Sequence, residues 1–423
     1  MYSNTIRAFV AIYFSQITDG LKFLLQFYRM NLRTLFLQHV AQTSPSPLAL
    51  EIVKAEGCKL FDVDGKIYLD LIAGISVSNL GHNHPAIKNA IIQQLDKYTH
   101  LLVYGELIQS PQVELAKYLT DLLPENLSSV YYVNSGSEAI EGALKLAKRV
   151  TGRTEIISFK NSYHGSTAGA LSLGNTEERK NTFRPLIPDN RILDFNVFDQ
   201  IENITEKTAC VIMEAVQAEA GVILPHENYL QAIRKRCKAT NTLLIFDEIQ
   251  TGCGRTGKLF AFEKQHVIPD VLVLAKAFGG GMPLGAFIAS HEMMQTFTHN
   301  PVLGHINTFG GHPVSCAAAL ASLKVIVEEK LFEQAESKAQ LFKSFLIHPK
   351  IKEVRNSGLL IAIDFENTTL NLKVVQKCIE NGVMTDWFLF ADDCMRIAPP
   401  LIISEEEIKF TCTIILDSIN SLS

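Results

Sequence analysis

The sequence predicts an α/β fold in which a larger domain is a mostly parallel central sheet covered by helices, joined by a smaller α+β domain. Three observations predict it. Apolar runs alternate with helical stretches from about residue 90 onward. The runs are almost wholly apolar, which is typical of strands buried on both faces. After about residue 330 the pattern changes to an amphipathic helix and isolated strands, which favours a separate unit built from both chain ends.

Length and composition limit the class of protein. With 423 residues, 47% of them apolar, the chain can bury a large core divided between two domains. A net charge of −5 without a long Lys/Arg cluster argues against nucleic acid or a membrane as partner, and favours small molecules. The eight cysteines show no C-x-x-C spacing, so neither zinc nor a disulfide framework is indicated, and a cytoplasmic location is expected.

The N-terminus differs from the rest. Arg7 followed by the apolar stretch 8–14 resembles a signal region, but no small-residue cleavage site follows, and the stretch is too short to span a bilayer. Because Met30 stands just before the part with a folded pattern, we predict that residues 1–29 are a disordered or misassigned extension. The predicted domains are 30–90 with 331–423 for the smaller one, and 91–330 for the larger.

The first elements are a hairpin and a turn. Residues 59–70 contain two alternating runs around Asp64-Gly65, the strongest local hairpin signal. His82 and His84 could suggest a metal site. Without nearby carboxylates or cysteines, a structural turn before a helix is the favoured interpretation.

Six apolar runs predict the strands of the larger domain. Helical stretches between them imply parallel pairing, which places ligands at the carboxyl ends of the strands. The runs are 130–133, 156–159, 210–213, 243–246, 271–275 and 286–289. Further on, the sequence predicts a helix at 331–346, an apolar run at 358–365, and a last helix near Ser404 with Glu407 completing its capping box.

Asp247 and Lys276 each end one of these runs. A carboxylate at the end of a buried strand is unfavourable unless a cation meets it. Lys276 is followed by glycines at 279–281, which would let a flat ligand approach the backbone, so it is a candidate Schiff-base lysine. A structural salt bridge between Asp247 and Lys276 explains the same residues equally well.

The stretch Gly252–Gly257 fits the dinucleotide pattern G-x-G-x-x-G, so a nicotinamide enzyme is an alternative. That fingerprint should open a helix and be followed by an acid at the end of the next strand. Here Asp270 precedes its strand and Lys276 stands at the far end, so the alternative is disfavoured.

A helix start after the run 130–133 predicts an anion site. Ser135 and Glu138 have capping-box spacing, and Gly136 and Ser137 offer backbone N–H groups and a hydroxyl at the positive end of the helix dipole. Alone, the motif also fits an ordinary helix start without a ligand. Combined with a lysine nucleophile and a buried acid at neighbouring strand ends, it matches the requirements of pyridoxal 5'-phosphate.

The chain resembles the class III pyridoxal-phosphate aminotransferases, and among them the acetylornithine and ornithine transaminases, from about Pro45 to its end. The resemblance therefore implies the fold-type I architecture, with a large cofactor-binding domain. It is carried by five motifs, at 134–139 (NSGSEA), 163–165 (YHG), 247–257 (DEIQTGCGRTG), 276–281 (KAFGGG) and 308–313 (TFGGHP).

The resemblance also implies roles for side chains around the cofactor. Tyr163 and Ile249 would lie on opposite faces of the ring, Gln250 would donate to its phenolic oxygen, and His164 belongs to the same cofactor site. Thr308 would reach the phosphate of the other subunit's cofactor, which implies a homodimer with shared sites. Without the resemblance, Tyr163 is a half-buried aromatic at a strand end and Thr308 an ordinary loop residue.

Glu219 and Arg396 resemble the pair that alternates between two substrates in this family. Glu219 would bind Arg396 while an ω-amine donor is present, then leave it free to hold the carboxylate of 2-oxoglutarate. A permanent structural ion pair is the alternative interpretation.

One departure concerns the donor. Acetylornithine and ornithine transaminases usually have arginine where this chain has Ser166, and ornithine transaminases have tyrosine in place of Ile75. The donor is thus held differently or lacks a distal carboxylate, as an amine or diamine does. We expect a ping-pong transfer from an ω-amine donor to a 2-oxo acid such as 2-oxoglutarate. The alternatives are an amine or diamine transaminase using pyruvate, a fold-related aminomutase or decarboxylase, and a non-catalytic binding protein.

Overall fold

The computed structural model describes Gly20, residues 32–103 and residues 105–422. Apart from Gly20, the predicted extension 1–29 lies outside the described residues. The chain divides into two compact units: residues up to Lys54 with Phe61–Lys66, and Ala55–Leu60 with Ile67–Ser423. The domain limits near residues 90 and 330 stay a prediction.

The secondary structure alternates between strands and helices for most of the chain. The strands are β1 (Ile52–Glu56), β2 (Lys59–Asp62), β3 (Ile67–Asp70), β4 (Ser129–Val133), β5 (Glu155–Phe159), β6 (Asn190–Leu193), β7 (Thr208–Met213), β8 (Leu243–Asp247), β9 (Val271–Leu274), β10 (Gly285–Ala289), β11 (Glu353–Ser357), β12 (Leu360–Asp364), β13 (Val383–Met384), β14 (Asp386–Phe388) and β15 (Ala391–Ile397). The helices are α1 (32–39), α2 (Ala73–Ser76), α3 (Pro85–Leu95), α4 (Ser110–Asp121), α5 (Gly136–Thr151), α6 (Ala168–Ser172), α7 (Glu177–Lys180), α8 (Tyr229–Thr240), α9 (Phe262–Gln265), α10 (His291–Gln295), α11 (Pro313–Glu328), α12 (Ala335–Phe345), α13 (Thr368–Glu380) and α14 (Glu405–Asn420).

The central sheet has the strand order β4-β10-β9-β8-β7-β5-β6. β10 runs antiparallel to both neighbours, while the pairs β9-β8, β8-β7, β7-β5 and β5-β6 are parallel. All six predicted strands form, so the predicted fold class is confirmed. The edge strand β6 was not predicted, because it is short and half polar.

The core of this unit lies between the sheet and α5. Every residue of β7, β9 and β10 is buried, as expected for strands covered on both faces. α5 packs its apolar stripe, including Ile140 and Leu144, against them. At Gly142 a Cβ atom would stand 2.3 Å from the Phe287 ring, so only glycine permits this close approach.

A second, antiparallel sheet has the order β11-β12-β15-β14. β3 pairs in parallel with β13 through Leu69 and Val383, so a segment before residue 90 meets one near the C-terminus. The predicted helix at 331–346 begins as a 3-10 turn, Leu331–Gln334, and continues as α12. α14 starts with the predicted capping box of Ser404 and Glu407.

The early turns follow their local sequence. The Asp62 carboxylate accepts from the amides of Asp64 and Lys66, which closes the predicted turn between β2 and β3. His84 caps α3 by accepting from the Ala86 amide, while His82 binds Asp70 at 2.8 Å. The predicted turn before a helix is thus confirmed. In the described residues, no helix combines the length and apolar character needed to cross a membrane.

Candidate active site

A cavity of about 380 Å³ opens at the carboxyl edge of the central sheet, where ligands are expected in folds of this kind. Side chains from the ends of β4, β5, β7, β8 and β9 meet there. Its lining comprises Val77, Asn134, Ser135, Gly136, Ser137, Tyr163, His164, Gly165, Glu214, Asp247, Ile249, Gln250, Thr251, Ala275, Lys276, Gly281, Met282, Pro283 and Leu284.

The first turn of α5 forms one wall. Ser135 caps the helix by accepting from the Glu138 amide at 3.2 Å. The Glu138 carboxylate reaches back to the amide of Asn134 rather than that of Ser135, so only half of the predicted capping box is present. The first amides of a helix have no acceptor within it, and Ser135, Gly136 and Ser137 at this helix start line the cavity. The positive end of the helix dipole therefore points at the cavity.

Two glycines give this wall its shape. A Cβ atom on Gly136 would stand 2.8 Å from Ile249 Cδ1, and one on Gly165 would stand 2.1 Å from Ser137 Oγ. Gly165 also has a φ of +128°, a conformation that other residues rarely adopt. Gly165 thereby packs directly against the Ser137 hydroxyl, and Gly136 against the Ile249 side chain.

Asp247 is hydrogen-bonded to His164. Asp247 Oδ2 lies 2.7 Å from His164 Nδ1, and Oδ1 accepts from the Ile249 amide at 3.0 Å. Although burial alone lowers it, the pKa of His164 is raised by the hydrogen bond and charge of Asp247, with Glu214 adding to the effect. His164 Nε2 is buried and lacks a hydrogen-bond partner in the described residues.

Lys276 follows Ala275, the residue after β9, and begins a 3-10 helix, Lys276–Gly279, with a φ of +49°. In the described part of the chain its amine makes no ion pair, so the predicted structural bridge to Asp247 is absent. Burial lowers the pKa of the Lys276 amine, Glu219 opposes this change and Arg396 adds to it. A larger fraction of the amine is therefore uncharged, and nucleophilic, than for an exposed lysine.

Sequence reasoning gave no role to Glu214, yet its carboxylate lines the same cavity. It accepts from the amides of Tyr163 and Ala218 at 3.2 and 2.9 Å. Burial raises the pKa of Glu214 to about 7, although His164 opposes the change. Its position directly after the apolar β7, like that of Asp247 at the end of β8, is the signal that could have identified it.

Tyr163, Ile249 and Gln250 all line the cavity, as predicted for cofactor contacts. Tyr163 is 39% exposed, and its hydroxyl lies 3.2 Å from Ser166 Oγ. Ser166 itself is exposed at the rim. Gln250 Nε2 donates to Glu219 Oε1 at 3.3 Å, which connects the cavity to the next group of charges.

Arg396 is buried and held by two carboxylates. Its Nη1 and Nη2 donate to the two oxygens of Glu219 at 2.7 and 3.1 Å, as the predicted pairing requires. Its Nε donates to Asp386 Oδ1 at 2.9 Å. Asp386 was not foreseen, because no local pattern marks it.

Five predicted site residues stand outside the cavity lining: Ser166, Glu219 and Arg396, described above, and Ile75 and Thr308. Ile75 is 40% exposed and belongs to α2, in which Ala73, Gly74, Ile75 and Ser76 all have positive φ, so the turn is left-handed. Thr308 is exposed on the segment before Phe309. Ile75 and Thr308 can therefore contact groups outside this chain's own cavity.

The stretch Gly252–Gly257 forms successive turns instead of opening a helix. Asp270 is bound by Arg234 at 2.5 and 2.9 Å and accepts from the Leu244 amide. It is therefore occupied within the protein. The geometry agrees with the rejection of a dinucleotide fingerprint.

A largely parallel sheet that carries a lysine, an acid and a helix N-terminus at its carboxyl edge is typical of pyridoxal-phosphate-dependent transferases of fold type I. The family model of class-III aminotransferases matches residues 40–419. The chain belongs to the class-III aminotransferases, a pyridoxal-phosphate-dependent family.

Named relatives are similar over most of their length. An acetylornithine aminotransferase of Methanopyrus kandleri is 38% identical over 388 residues, covering 90% of this chain and 97% of the relative. Ornithine aminotransferase 1 of Staphylococcus aureus is 37% identical, covering 86% and 93%. An ornithine aminotransferase structure from Toxoplasma gondii, with partial occupancy of pyridoxal phosphate at its active site, has a TM-score of 0.86 at 30% identity, covering 94% and 97%. The protein is thus an aminotransferase.

Proposed function

We propose that this enzyme moves the amino group of an ω-amine donor, of the acetylornithine or ornithine type, to a 2-oxo acid such as 2-oxoglutarate. The two substrates bind in turn, as in ping-pong kinetics. The observation that carries the proposal is the Lys276 amine, which stands at the cavity with a lowered pKa beside the His164–Asp247 pair. The names of the acetylornithine and ornithine aminotransferase relatives support the donor type.

The residues around the cavity fit pyridoxal phosphate. The start of α5 offers the amides of its first turn and the Ser137 hydroxyl. Gly165 lets the Ser137 hydroxyl, and Gly136 lets the Ile249 side chain, pack directly against the backbone there. We assign Ser135, Gly136 and Ser137 to the phosphate. This donor set suits an anion and leaves no room for a larger side chain.

The opposite end of the cavity suits a protonated ring nitrogen. We assign Asp247 to that nitrogen, with His164 as the residue that orients the carboxylate. Tyr163 and Ile249 would enclose the ring, and Gln250 would donate to its phenolic oxygen. The burial of Asp247 strengthens its interaction with any cation that binds there.

Lys276 is assigned two tasks. When bound, pyridoxal phosphate supplies an aldehyde that amines attack and a ring that accepts the electrons of a broken C–H bond. Nζ of Lys276 would anchor the aldehyde and later, as a free amine, take the proton from the donor carbon that bears the amino group. Positioned proton transfer of this kind contributes roughly 10²- to 10⁴-fold to a rate.

The Glu219–Arg396 pair is assigned to substrate alternation. With a cationic amine donor present, Glu219 neutralises Arg396 through two hydrogen bonds. A 2-oxo acid brings its own carboxylate, which replaces that of Glu219 on the same edge of the guanidinium. One site can therefore accept both substrates in succession.

Ser166 favours a second candidate, a transaminase of simple amines or diamines with pyruvate as acceptor. Its uncharged hydroxyl, hydrogen-bonded to Tyr163, cannot neutralise a distal carboxylate on the donor. Ile75, on the left-handed turn α2, is an exposed apolar side chain rather than a polar one. A donor screen decides between the two candidates.

We propose a homodimer with shared active sites. The ring of His100 lies 4.9 Å from that of Phe309, so the segments around them form one surface. This surface exposes much apolar area, with Ile108 at 96% and Phe309 at 54%. The exposed Thr308 on it supports a contact with the cofactor of a second copy. A native mass of one chain at micromolar concentration would contradict this proposal.

We also propose that the enzyme works in the cytoplasm. All eight cysteines are buried and free, which suits a reducing compartment.

The test of function is a visible absorption spectrum followed by a donor screen. We expect purified protein to show the absorption of enzyme-bound pyridoxal phosphate, and Lys276→Ala to lose both this signal and turnover. Ornithine, N-acetylornithine, diamines and simple amines are then offered with 2-oxoglutarate or pyruvate. A mutase or decarboxylase would form no amino acid from an added 2-oxo acid, and a non-catalytic protein would lack the absorption band.

A further inference from the structure

The hairpin of β14 and β15 supplies several of the contacts that hold the Arg396 side chain. Asp386 and Arg396 are direct cross-strand partners. The Trp387 carbonyl accepts from Arg396 Nη2 at 2.9 Å, and the guanidinium carbon lies 4.7 Å from the Phe388 ring centroid. The Thr385 hydroxyl donates to the Arg396 carbonyl. The guanidinium therefore contacts three groups of the hairpin that lie within 10 positions of Arg396 in the sequence.

Glu219 is different, because it approaches the same guanidinium from a loop 177 positions away in the sequence. It occupies the Nη1–Nη2 edge, whereas Asp386 occupies the Nε side. The two carboxylates thus do not compete for the same hydrogen atoms. Removing the Glu219 side chain from Arg396 would leave the Asp386 contact intact.

The charges do not balance in this cluster. Two carboxylates share one guanidinium, and Arg396 and Glu219 are almost fully buried. Arg396 lowers the pKa of Glu219 although burial opposes it. Burial raises the pKa of Asp386 to about 6, and Glu219 and Asp70 add to the rise while Arg396 opposes it. A second carboxylate beside this buried pair is unfavourable unless its hydrogen bonds offset the desolvation cost.

We propose that Asp386 is a positioning residue that keeps the Arg396 guanidinium in place while Glu219 is exchanged for the carboxylate of the 2-oxo acid. The inference rests on the proposed function of the Glu219–Arg396 pair. The exchange replaces one carboxylate by another, so the net charge of the cluster stays the same. Asp386 acts in the acceptor half of the reaction and leaves the donor half nearly unaffected.

The experiment uses the holoenzyme and three variants. Asp386→Ala removes the Nε acceptor, Asp386→Asn keeps an oxygen there without the charge, and Asp392→Ala is the control. Asp392 is an exposed carboxylate on the same strand that accepts from Thr368 and lies away from Arg396. Each half-reaction is followed separately by its absorbance change, and binding of glutarate, an unreactive dicarboxylate, is measured by calorimetry.

We expect Asp386→Ala to weaken glutarate binding and the acceptor half-reaction about tenfold, the size of effect that loss of one charge-assisted hydrogen bond produces. The donor half-reaction should change less than about twofold, and Asp386→Asn should recover most of the loss. Equal loss in both half-reactions, no loss, or no recovery with asparagine would overturn the inference. Wild-type protein that transfers no amino group to any 2-oxo acid would instead overturn the proposed function.

Discussion

Lys276 shows how one side chain reflects a compromise between stability and reactivity. Its amine is enclosed by the ends of β8 and β9 and by α5, where charge is poorly solvated. The lowered pKa that burial produces is useful for a nucleophile and unfavourable for folding. Residues of this kind are expected at active sites.

We predict that Lys276→Met stabilises the protein without its cofactor by roughly 0.5–2 kcal/mol at pH 7, because it removes a buried cation. The folded-state pKa of Lys276 is lowered, so the unfolded chain binds more protons between that value and the ordinary one. Stability of the wild type should therefore rise relative to the variant as pH increases through this interval. Thermal unfolding of the cofactor-free proteins at several pH values measures both effects, and a less stable variant at pH 7 would contradict the prediction.

Ser166 provides a second prediction at the scale of a single residue. Ser166→Arg places a cation beside the Tyr163 hydroxyl, at the rim of the cavity. We expect kcat/KM for N-acetylornithine relative to a simple amine to rise at least tenfold, which corresponds to about 1.4 kcal/mol. Ser166→Gln, similar in length but uncharged, is the control. An unchanged donor profile would show that the distal carboxylate is bound elsewhere.

Among the elements, α2 is unusual because it is a left-handed turn. Left-handed conformations cost roughly 1–2 kcal/mol per residue for side chains other than glycine, and Ile75 is β-branched. The turn is held by Asp70, whose Oδ1 accepts from the amides of Ile72 and Ala73 at 2.8 Å each. Asp70 Oδ2 in turn binds His82. The strain is thus compensated by one carboxylate at the end of β3.

We predict that Asp70→Ala destabilises the protein by about 2–3 kcal/mol, because the buried amide of Ala73 and the partly buried amide of Ile72 lose their acceptor. Asp121→Ala is the control, since it removes only an exposed pair with Lys117 and should cost less than about 1 kcal/mol. Urea unfolding midpoints compare the two. Similar midpoints would mean that the left-handed turn is held by other contacts.

Prediction from sequence was most successful for elements whose pattern is local. The predicted bounds of the six strands and the position of the Ser404 cap agree with the structure within one or two residues. Both are marked by residues that are close together in the sequence, as apolar runs and capping pairs are. The edge strand β6 was missed, since Asn190 and Arg191 interrupt its apolar character. The Glu138 carboxylate accepts from the Asn134 amide instead of the Ser135 amide, and the spacing of the residues cannot predict which of the two amides it binds.

At the scale of the whole molecule, Arg255 connects segments that are far apart in the sequence. Its side chain is fully buried and donates to the carbonyls of Leu359 and Pro399 and to the Asn79 side chain. Burial lowers the pKa of Arg255 to about 9, with Asp70 opposing the change. Both ends of the second unit are thereby joined to the loop that follows Asp247.

We predict that Arg255→Lys lowers the free energy of unfolding by about 2–3 kcal/mol, because an ammonium group cannot reach three acceptors in the fork geometry of a guanidinium. Arg191→Lys, on a half-exposed surface pair with Glu155, should change it by less than about 0.5 kcal/mol. Urea unfolding midpoints measure the difference. An unaffected Arg255→Lys would show that these segments are held by their backbone contacts alone.

The sequence by itself determined the alternation of strands and helices, the residues that end each strand, and hence the presence of a lysine, an acid and a helix start at one sheet edge. These features depend on the periodicity of apolar residues and on helix capping, which involve residues close together in the sequence. Only the tertiary structure decided that His164, 83 positions away, is the partner of Asp247, and that Asp386 stands opposite Arg396. Such pairs follow from strand order and register, which are set by packing across the whole chain and leave no mark in any short stretch of it.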